Sequence, residues 1–268
     1  MTTYSDGPGG TITTAIDTYV DSANPTNNYG TRANLLTGTT SKGLLRFNLS
    51  AIPSGASCQG GTLYLYHASS ATASAFTLTA YSVGSANYAW TEGTASNTQA
   101  ASGEPCWNAL AADGSGGVTT AWAGTAGLGT SGTDYEATAM GTANGNRSDA
   151  LGTEYAISLN TTRLSGWFGT ANTNYGLLVT TSAASGNIAS SDHGTAAWRP
   201  NLVVTYTDNS SPTVALSTAA GTSTASAYLE VGVVRLQLGE SLTPAGTMHA
   251  GQQLMTPAGS MRRVREVA

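Results

Sequence analysis

Apolar and polar residues alternate with a period of two in short runs along most of the chain, the signature of strands that bury one face. Residues 63–66 read Leu-Tyr-Leu-Tyr, residues 76–83 read Phe-Thr-Leu-Thr-Ala-Tyr-Ser-Val, and residues 201–207 read Asn-Leu-Val-Val-Thr-Tyr-Thr. The same reasoning predicts strands over residues 12–20, 155–159, 175–181 and 187–191, with a shorter one beginning at Leu35 and Leu36. Residues 42–66 are the best-patterned part. Two apolar runs, 44–49 and 63–66, flank a turn-rich segment holding Pro53, Gly55, Gly60 and Gly61, and each run is too short for a helix. In the second run Leu63 and Leu65 point one way and Tyr64 and Tyr66 the other. The pattern predicts that the two runs form a central pair in one sheet.

Other stretches break the alternation. Residues 21–30 are dense in Asn, Pro and Gly and read as a loop. From residue 87 to about residue 150, Trp90, Trp107 and Trp122 sit among small residues with weak periodicity, which predicts a long excursion over one face, pinned by tryptophans. Residues 160–167 hold one helical turn, capped by Thr161 or Thr162, and Pro200 opens the last strand, where a proline is tolerated. The composition shifts at Asp208. Residues 1–207 read as one domain, 208–227 as a small-residue linker, and 228–268 as a β-rich anchoring and oligomerisation segment. Residues 228–238 alternate with Leu229, Val231 and Val233 on one side until the phase slips at Val233-Val234, which predicts a bulge or bend. An internal echo follows: Leu-Thr-Pro-Ala-Gly-Thr-Met at 242–248 and Met-Thr-Pro-Ala-Gly-Ser-Met at 255–261. Two copies are fewer than a repeat architecture needs.

Composition sharpens the fold class. Charged residues make up 9% of the 268 residues, where about a quarter is usual. Glycine, Ala, Thr and Ser take the places that Lys and Glu occupy in helical proteins, and Thr and Tyr suit pleated, half-exposed surfaces. The expected class is all-β. The net charge is −5 and Lys42 is the only lysine among the ten cationic residues. No basic stripe occurs before residue 261, which argues against nucleic-acid binding, and Arg262, Arg263 and Arg265 at the end form too short a patch to change that. No run of about 18 apolar residues is present, so no membrane-spanning helix is expected. The first ten residues lack the charged and apolar regions of a secretory leader. The expectation is a mature fragment or a protein that leaves a cytoplasm by assembly or lysis. Cys58 and Cys106 match no zinc spacing, and two readings stand for them, a disulfide or two separate buried thiols.

Six separated motifs occur in order: Asp17-Thr-Tyr-Val with Asn28-Tyr-Gly, Leu44-Leu-Arg-Phe-Asn-Leu-Ser, Gly61-Thr-Leu-Tyr-Leu-Tyr, Trp90-Thr-Glu, Asn174-Tyr-Gly-Leu-Leu, and Arg199-Pro-Asn-Leu-Val-Val-Thr-Tyr. Over roughly residues 12–207 this series resembles the DNRLRE-domain family. The hexapeptide that names the family is absent, residues 93–150 fit it loosely, and residues 208–268 lie outside it. The resemblance implies a jelly-roll β-sandwich like those of carbohydrate-binding modules, with alginate-binding modules among the relatives. It implies an accessory domain with a binding habit rather than a reaction.

The candidate chemistry is sparse. No GxSxG or HExxH occurs, and His67, His193 and His249 lie apart from any motif serine. Asp192-His193 reads as a loop hydrogen bond, and Glu92 and Glu104, near Trp90 and Trp107, read as structural rather than as a glycosidase pair. The expectation is that the protein is not an enzyme. Asp17, Asp21, Asn24 and Asp192 have the oxygen donors that calcium takes, the alternative being a network of Asx turns in an Asn-rich loop. Sugar binding needs exposed aromatic faces beside polar groups. Trp107 and Trp122, in the loosely fitting excursion, are the expected platform, while Trp167 and Trp198 read as packing. Arg46 is expected to pair with a carboxylate across the sheet.

These observations favour a structural protein of a bacteriophage virion: a capsid decoration, head-fibre or tail accessory. It would carry a carbohydrate-binding-like sandwich and assemble with itself and with other virion proteins through its C-terminal segment. Tyr228, Leu229, Val231, Val233, Leu236, Leu238, Met248, Met255 and Met261 are the expected assembly residues, and the virion surface the expected location. The alternative is a secreted or surface carbohydrate-binding module that targets a polysaccharide.

Overall fold

Two antiparallel sheets face one another across a single apolar layer. The computed structural model describes residues 2–6, 16–53, 55–69, 71–168, 173–182, 186–207, 228–231, 234–237, 253–255 and 261–263. Contacts divide the chain into two units, Met1–Ser210 and Ser211–Ala268. The strands of four or more residues in the first are Thr2–Asp6 (β1), Ile16–Asp21 (β2), Asn34–Thr37 (β3), Ser41–Arg46 (β4), Ser57–Tyr66 (β5), Ala75–Ser82 (β6), Gly141–Asn146 (β7), Glu154–Ser158 (β8), Leu177–Thr181 (β9), Gly186–Ala189 (β10) and Asn201–Thr207 (β11). A four-stranded sheet runs β1-β11-β5-β8, a five-stranded sheet runs β7-β6-β9-β4-β2, and β10 pairs with β3. The neighbours in each sheet are far apart in sequence, as the winding of a jelly-roll β-sandwich requires.

The apolar pattern explains why each strand lies where it does. Leu63, Leu65, Tyr155, Ile157, Leu202 and Val204 from the four-stranded sheet meet Leu45, Phe76, Leu78, Leu177 and Val179 from the five-stranded sheet in the main core. Strands β8 and β11 alternate buried with half-buried or exposed positions, as strands with one wet face do. Strands β4 and β9 differ. Leu44 and Leu45 are both buried, as are Leu177 and Leu178, so the five-stranded sheet is covered on both sides. Its second face packs Val20, Leu44 and Leu178 against Val83, Trp90, Leu110, Trp122 and Leu128 of the segment that follows β6.

That covering layer has little ladder of its own and is fastened by buried polar side chains. Asn28 donates from Nδ2 to the carbonyls of Glu92 and Pro105 and accepts at Oδ1 from the amides of Gly30 and Ala95. Asp134 accepts from Asn87 Nδ2 and the amide of Gly124 at Oδ1, and from the amides of Thr125 and Thr130 at Oδ2. Glu104 accepts from the amide and hydroxyl of Thr94 and from the amide of Ala101. Each of these groups is at least 90% buried, and each is satisfied, as buried polar atoms must be.

Several expectations are corrected. Residues 44–49 and 63–66 do not pair; Ser41–Arg46 is central in one sheet and Ser57–Tyr66 in the other, because a Leu44-Leu45 doublet suits a sheet covered on both faces and the Leu-Tyr alternation suits a sheet with one open face. Thr2–Asp6, in the polar lead-in, is a strand, registered from Thr2 opposite Tyr206 to Asp6 opposite Leu202. Of the first patterned strand, Ile16–Asp21 is described, and residues 12–15 lie outside the described residues. The helix Thr161–Trp167 (α1) is capped by Asn160, whose side chain accepts from the Arg163 amide. Of the two readings for the cysteines, that of separate thiols holds: Cys58 is free and half-buried, Cys106 free and buried.

In the second unit, Tyr228–Val231 (β12), Val234–Gln237 (β13), Gln253–Met255 (β14) and Met261–Arg263 (β15) form one sheet in that order. Val231 is registered opposite Val234 and Leu229 opposite Leu236, so the strands on either side of the phase slip run antiparallel. Met255 is registered opposite Met261. Residues 208–227, Val233, Leu238 and Met248 lie outside the described residues.

Candidate functional site

The outward positions of β5, β8 and β11 are half-buried or exposed, and aromatic side chains stand among them. Strand β5 turns Leu63 and Leu65 inward and therefore Thr62, Tyr64 and Tyr66 outward. Register places Tyr64 between Ala156 of β8 and Asn201 of β11, Thr62 between Ser158 and Val203, and Tyr66 opposite Glu154. Tyr64 and Tyr66 are thus two residues apart on one strand, about 7 Å along the sheet. Their neighbours are small or polar, and Ala156, Ser158 and Glu154 are exposed, so the rings are not walled in along the β8 side.

The Tyr66 hydroxyl donates to Glu154 Oε2 at 3.0 Å. Burial pushes that hydroxyl up to about 12; the hydrogen bond to Glu154, the charge of Glu154 and the neighbouring Tyr64 push in the same direction. It remains a neutral donor. At the same end of the sheet Trp198 is half-buried. Its indole lies against Gly152, where an added Cβ would sit 2.6 Å from the ring, and His193 stacks on it at 5.2 Å between centroids. Gly152 has a φ of +82°, so glycine is required there by both conformation and contact. Trp198 packs, as expected. The arrangement is an open aromatic surface with a carboxylate at its rim, able to stack on the C–H face of a sugar and to accept hydrogen bonds from its hydroxyls.

The residues predicted from sequence are placed differently. Trp122 is 4% exposed and its indole N–H donates to the Cys106 carbonyl at 2.9 Å, so it is core and not a platform. Its apolar bulk is needed to cover Leu44 and Leu178. Trp107 is partly buried against the same layer, with Gly127 lying against its ring, which leaves it part of a free surface. Trp167 is core at 3% exposure. Tyr64 and Tyr66 were legible only as a strand alternation; the usable signal was that the outward positions of that alternation are aromatic.

The calcium set does not converge. Asp17 and Asp21 lie at the two ends of β2, roughly 13 Å apart on an extended strand. Asp21 accepts from the Ala23 amide and the Ser41 hydroxyl, and its carbonyl accepts from the Asn24 amide, which is the Asx-turn arrangement. Asp17 is buried, accepts from the Ser191 amide at 2.6 Å, and donates its own amide to Glu92 Oε1 at 2.9 Å. Burial pushes its carboxyl up to about 8, against the Ser191 amide and with the charges of Glu92 and the exposed Asp192. Among the described residues no group of three or more His, Cys, Asp and Glu side chains is gathered for a metal ion.

The remaining charged candidates are structural. Glu92 holds the Asp17 amide, and Glu104 is spent on Thr94 and Ala101, so the two do not oppose one another across a cleft. His193 Nδ1 accepts from the Thr195 amide. Among the described residues Arg46 meets no carboxylate: its guanidinium lies 4.9 Å from the Trp90 ring centroid and donates to the carbonyls of Tyr88 and Trp90. A cation over an indole face gains electrostatic attraction without a counter-ion.

A family model described as carbohydrate-binding module family 96 matches residues 9–113, less than half of the chain. The matched span includes Tyr64, Tyr66 and Trp107 and stops before Glu154 and Asn201. No curated protein matches the chain. The match supports carbohydrate binding as the broad function of this region.

Proposed function

We propose that the sandwich is a non-catalytic polysaccharide-binding module whose ligand lies on the outer face of the four-stranded sheet, with Tyr64 and Tyr66 as the platform and Glu154 at its rim. The observation that carries this reading is the pairing of two outward tyrosines with small neighbours on the sheet face that the covering segment leaves open. The family match over residues 9–113 supports a sugar as the ligand class, and the DNRLRE resemblance belongs to the same reading. The absence of catalysis is part of the proposal, supported by the structural engagement of Glu92 and Glu104. Affinity electrophoresis against a panel of soluble polysaccharides tests it: retardation by at least one polymer, lost on Tyr64→Ala, is the expected result, and mobility unchanged by every polymer refutes it.

A second reading concerns the setting. The unit Ser211–Ala268 has its own four-stranded sheet, small for independent stability. It acts as the oligomerising anchor, through strands that carry Tyr228, Leu229, Val231, Leu236, Met255 and Met261, and joins the sandwich to a larger assembly. A bacteriophage virion surface is the proposed assembly and location, an extracellular surface the alternative. Light scattering on the full chain tests the anchor. A multimer that dissociates on Leu229→Asp supports it, and a monomer at all concentrations refutes it.

A further inference from the structure

We propose that His67 is an acid-operated latch on the sugar site: the neutral imidazole holds the end of the four-stranded sheet that carries Tyr66 and Glu154, and protonation releases it. The link to sugar rests on reading the tyrosine face as the binding site. His67 follows Tyr66 directly and is 1% exposed. Its amide donates to the Thr153 carbonyl at 2.9 Å, and its carbonyl accepts from the Gly152 amide at 2.8 Å. It therefore clamps the turn that enters β8 just before Glu154. It also bridges to Ile188 of β10. Its ring stands edge-on to Tyr155, 6.1 Å between centroids. Neither Nδ1 nor Nε2 has a hydrogen-bond partner among the described residues, although buried polar atoms are nearly always satisfied.

A proton brings a second N–H donor and a full charge into that dry socket. The groups that face the ring are few. The turn before β8 supplies the Asp149 carboxylate and the Arg147 carbonyl, β8 supplies Tyr155, and β10 supplies the apolar Ile188. Burial pushes the imidazole below its ordinary value of 6.5, against the pull of Asp149 and the Arg147 carbonyl. Asp149 is already engaged: its Oδ2 accepts from the Asn146 amide at 2.8 Å and from the Tyr155 hydroxyl at 3.0 Å. An imidazolium has to draw that carboxylate toward it at the expense of those two bonds, or leave the socket for water. Both routes move residues 146–153. That turn sets Gly152 against the Trp198 indole and leads into Glu154, which receives the Tyr66 hydroxyl, so the rim of the tyrosine face loosens with it. The sign follows from the lowered value. Stability tied to His67 is complete above about pH 6.5 and is lost as pH falls from there through the folded value.

Amide hydrogen exchange on the full chain at about pH 7.5 and about pH 5, corrected for intrinsic exchange, tests the latch. Calorimetric titration with alginate, mixed-linkage β-glucan and xylan under the same two conditions tests its link to sugar. The expected result at the lower pH is a loss of about tenfold in protection at the amides of His67, Gly152 and Thr153, while β4 and β9 hold. The affinity for whichever polymer binds falls about tenfold with it. His67→Phe keeps a ring against Tyr155 and cannot take a proton; His67→Gln covers the case in which Phe does not fit. Both abolish the pH response. His193→Gln, which removes the histidine stacked on Trp198, leaves it intact. Unchanged protection at these amides, a response that persists in both His67 variants, or one that disappears in His193→Gln overturns the latch. Lost protection with unchanged affinity overturns the link to sugar and leaves the latch standing. Binding of no polymer under either condition overturns the sugar face itself, and exchange alone then decides the latch.

Discussion

The two sheets of the sandwich solve one problem in opposite ways. The five-stranded sheet buries both faces, the inner against its partner sheet and the outer under a long segment anchored by Asn28, Glu104 and Asp134. The four-stranded sheet buries one face and leaves the other to solvent. Side chains follow suit: consecutive apolar residues in β4 and β9, strict alternation in β8 and β11. The difference teaches where to look for a ligand. A face already filled by the chain's own tryptophans has no room for one, whereas an open face that displays aromatic rings needs a reason to do so.

The comparison can be broken most severely at the anchors. Asp134→Ala removes the four hydrogen bonds that the carboxylate accepts and is expected to lower unfolding free energy by roughly 3–4 kcal/mol in denaturant titration; a change below about 1 kcal/mol would show that the layer is not held as described. Leu178→Ala, on the covered side of β9, should cost about 2–5 kcal/mol. Val203→Ala, on the open face, should stay within about 1 kcal/mol in the same assay. Equal losses at the two positions would erase the distinction between the sheets.

Asp17 and Asp134, both fully buried, sharpen the contrast through pH. Burial dominates Asp17 and raises its carboxyl to about 8, above the ordinary value of 3.8. Stability tied to that group is complete below about pH 4 and is lost as pH rises through about 8. Thermal melts should therefore weaken between about pH 4 and 8, and weaken less in Asp17→Asn. Burial is also the largest single influence on Asp134 and pushes upward, but the amides of Thr125, Thr130 and Gly124 and the Asn87 side chain together hold its carboxyl below the ordinary value. Its contribution is present above about pH 4 and is lost as pH falls through the lowered value, so Asp134→Asn should flatten the acid limb alone. The smallest effect is expected at the surface pair of Arg163 and Glu136, 3.1 Å apart: Arg163→Ala should change stability by no more than about 0.5 kcal/mol.

Most of the fold was legible because alternation marks a half-wet strand directly, and residues 201–207 form a strand to the residue. Leu44-Leu45 was harder. A doublet says that both faces are covered without saying by what, and so the two runs of residues 42–66 looked like neighbours. Thr2–Asp6 carried no pattern, since it joins the sheet through backbone pairing. The helix cap fell one residue earlier than expected because Asn160 competes with the threonines for the same amide. The site was the least legible part. Trp122 among Gly, Ala and Thr looks exposed in one dimension, and its burial comes from the cluster it joins with Val20, Leu44, Trp90, Leu110, Leu128 and Leu178. Asp17 and Asp21 are close in sequence, yet an extended strand sets them at opposite ends.

The segment over the five-stranded sheet also has a bearing on how the protein would fail. Because it is attached by side chains to backbone amides more than by strand ladders, it can open as a local event while the sandwich stays folded. Such an opening would bare Val20, Leu44 and Leu178 together with the indoles of Trp90 and Trp122. The resulting species would be native in most of its structure and adhesive on one flank, a route to aggregation that begins well below the temperature of global melting.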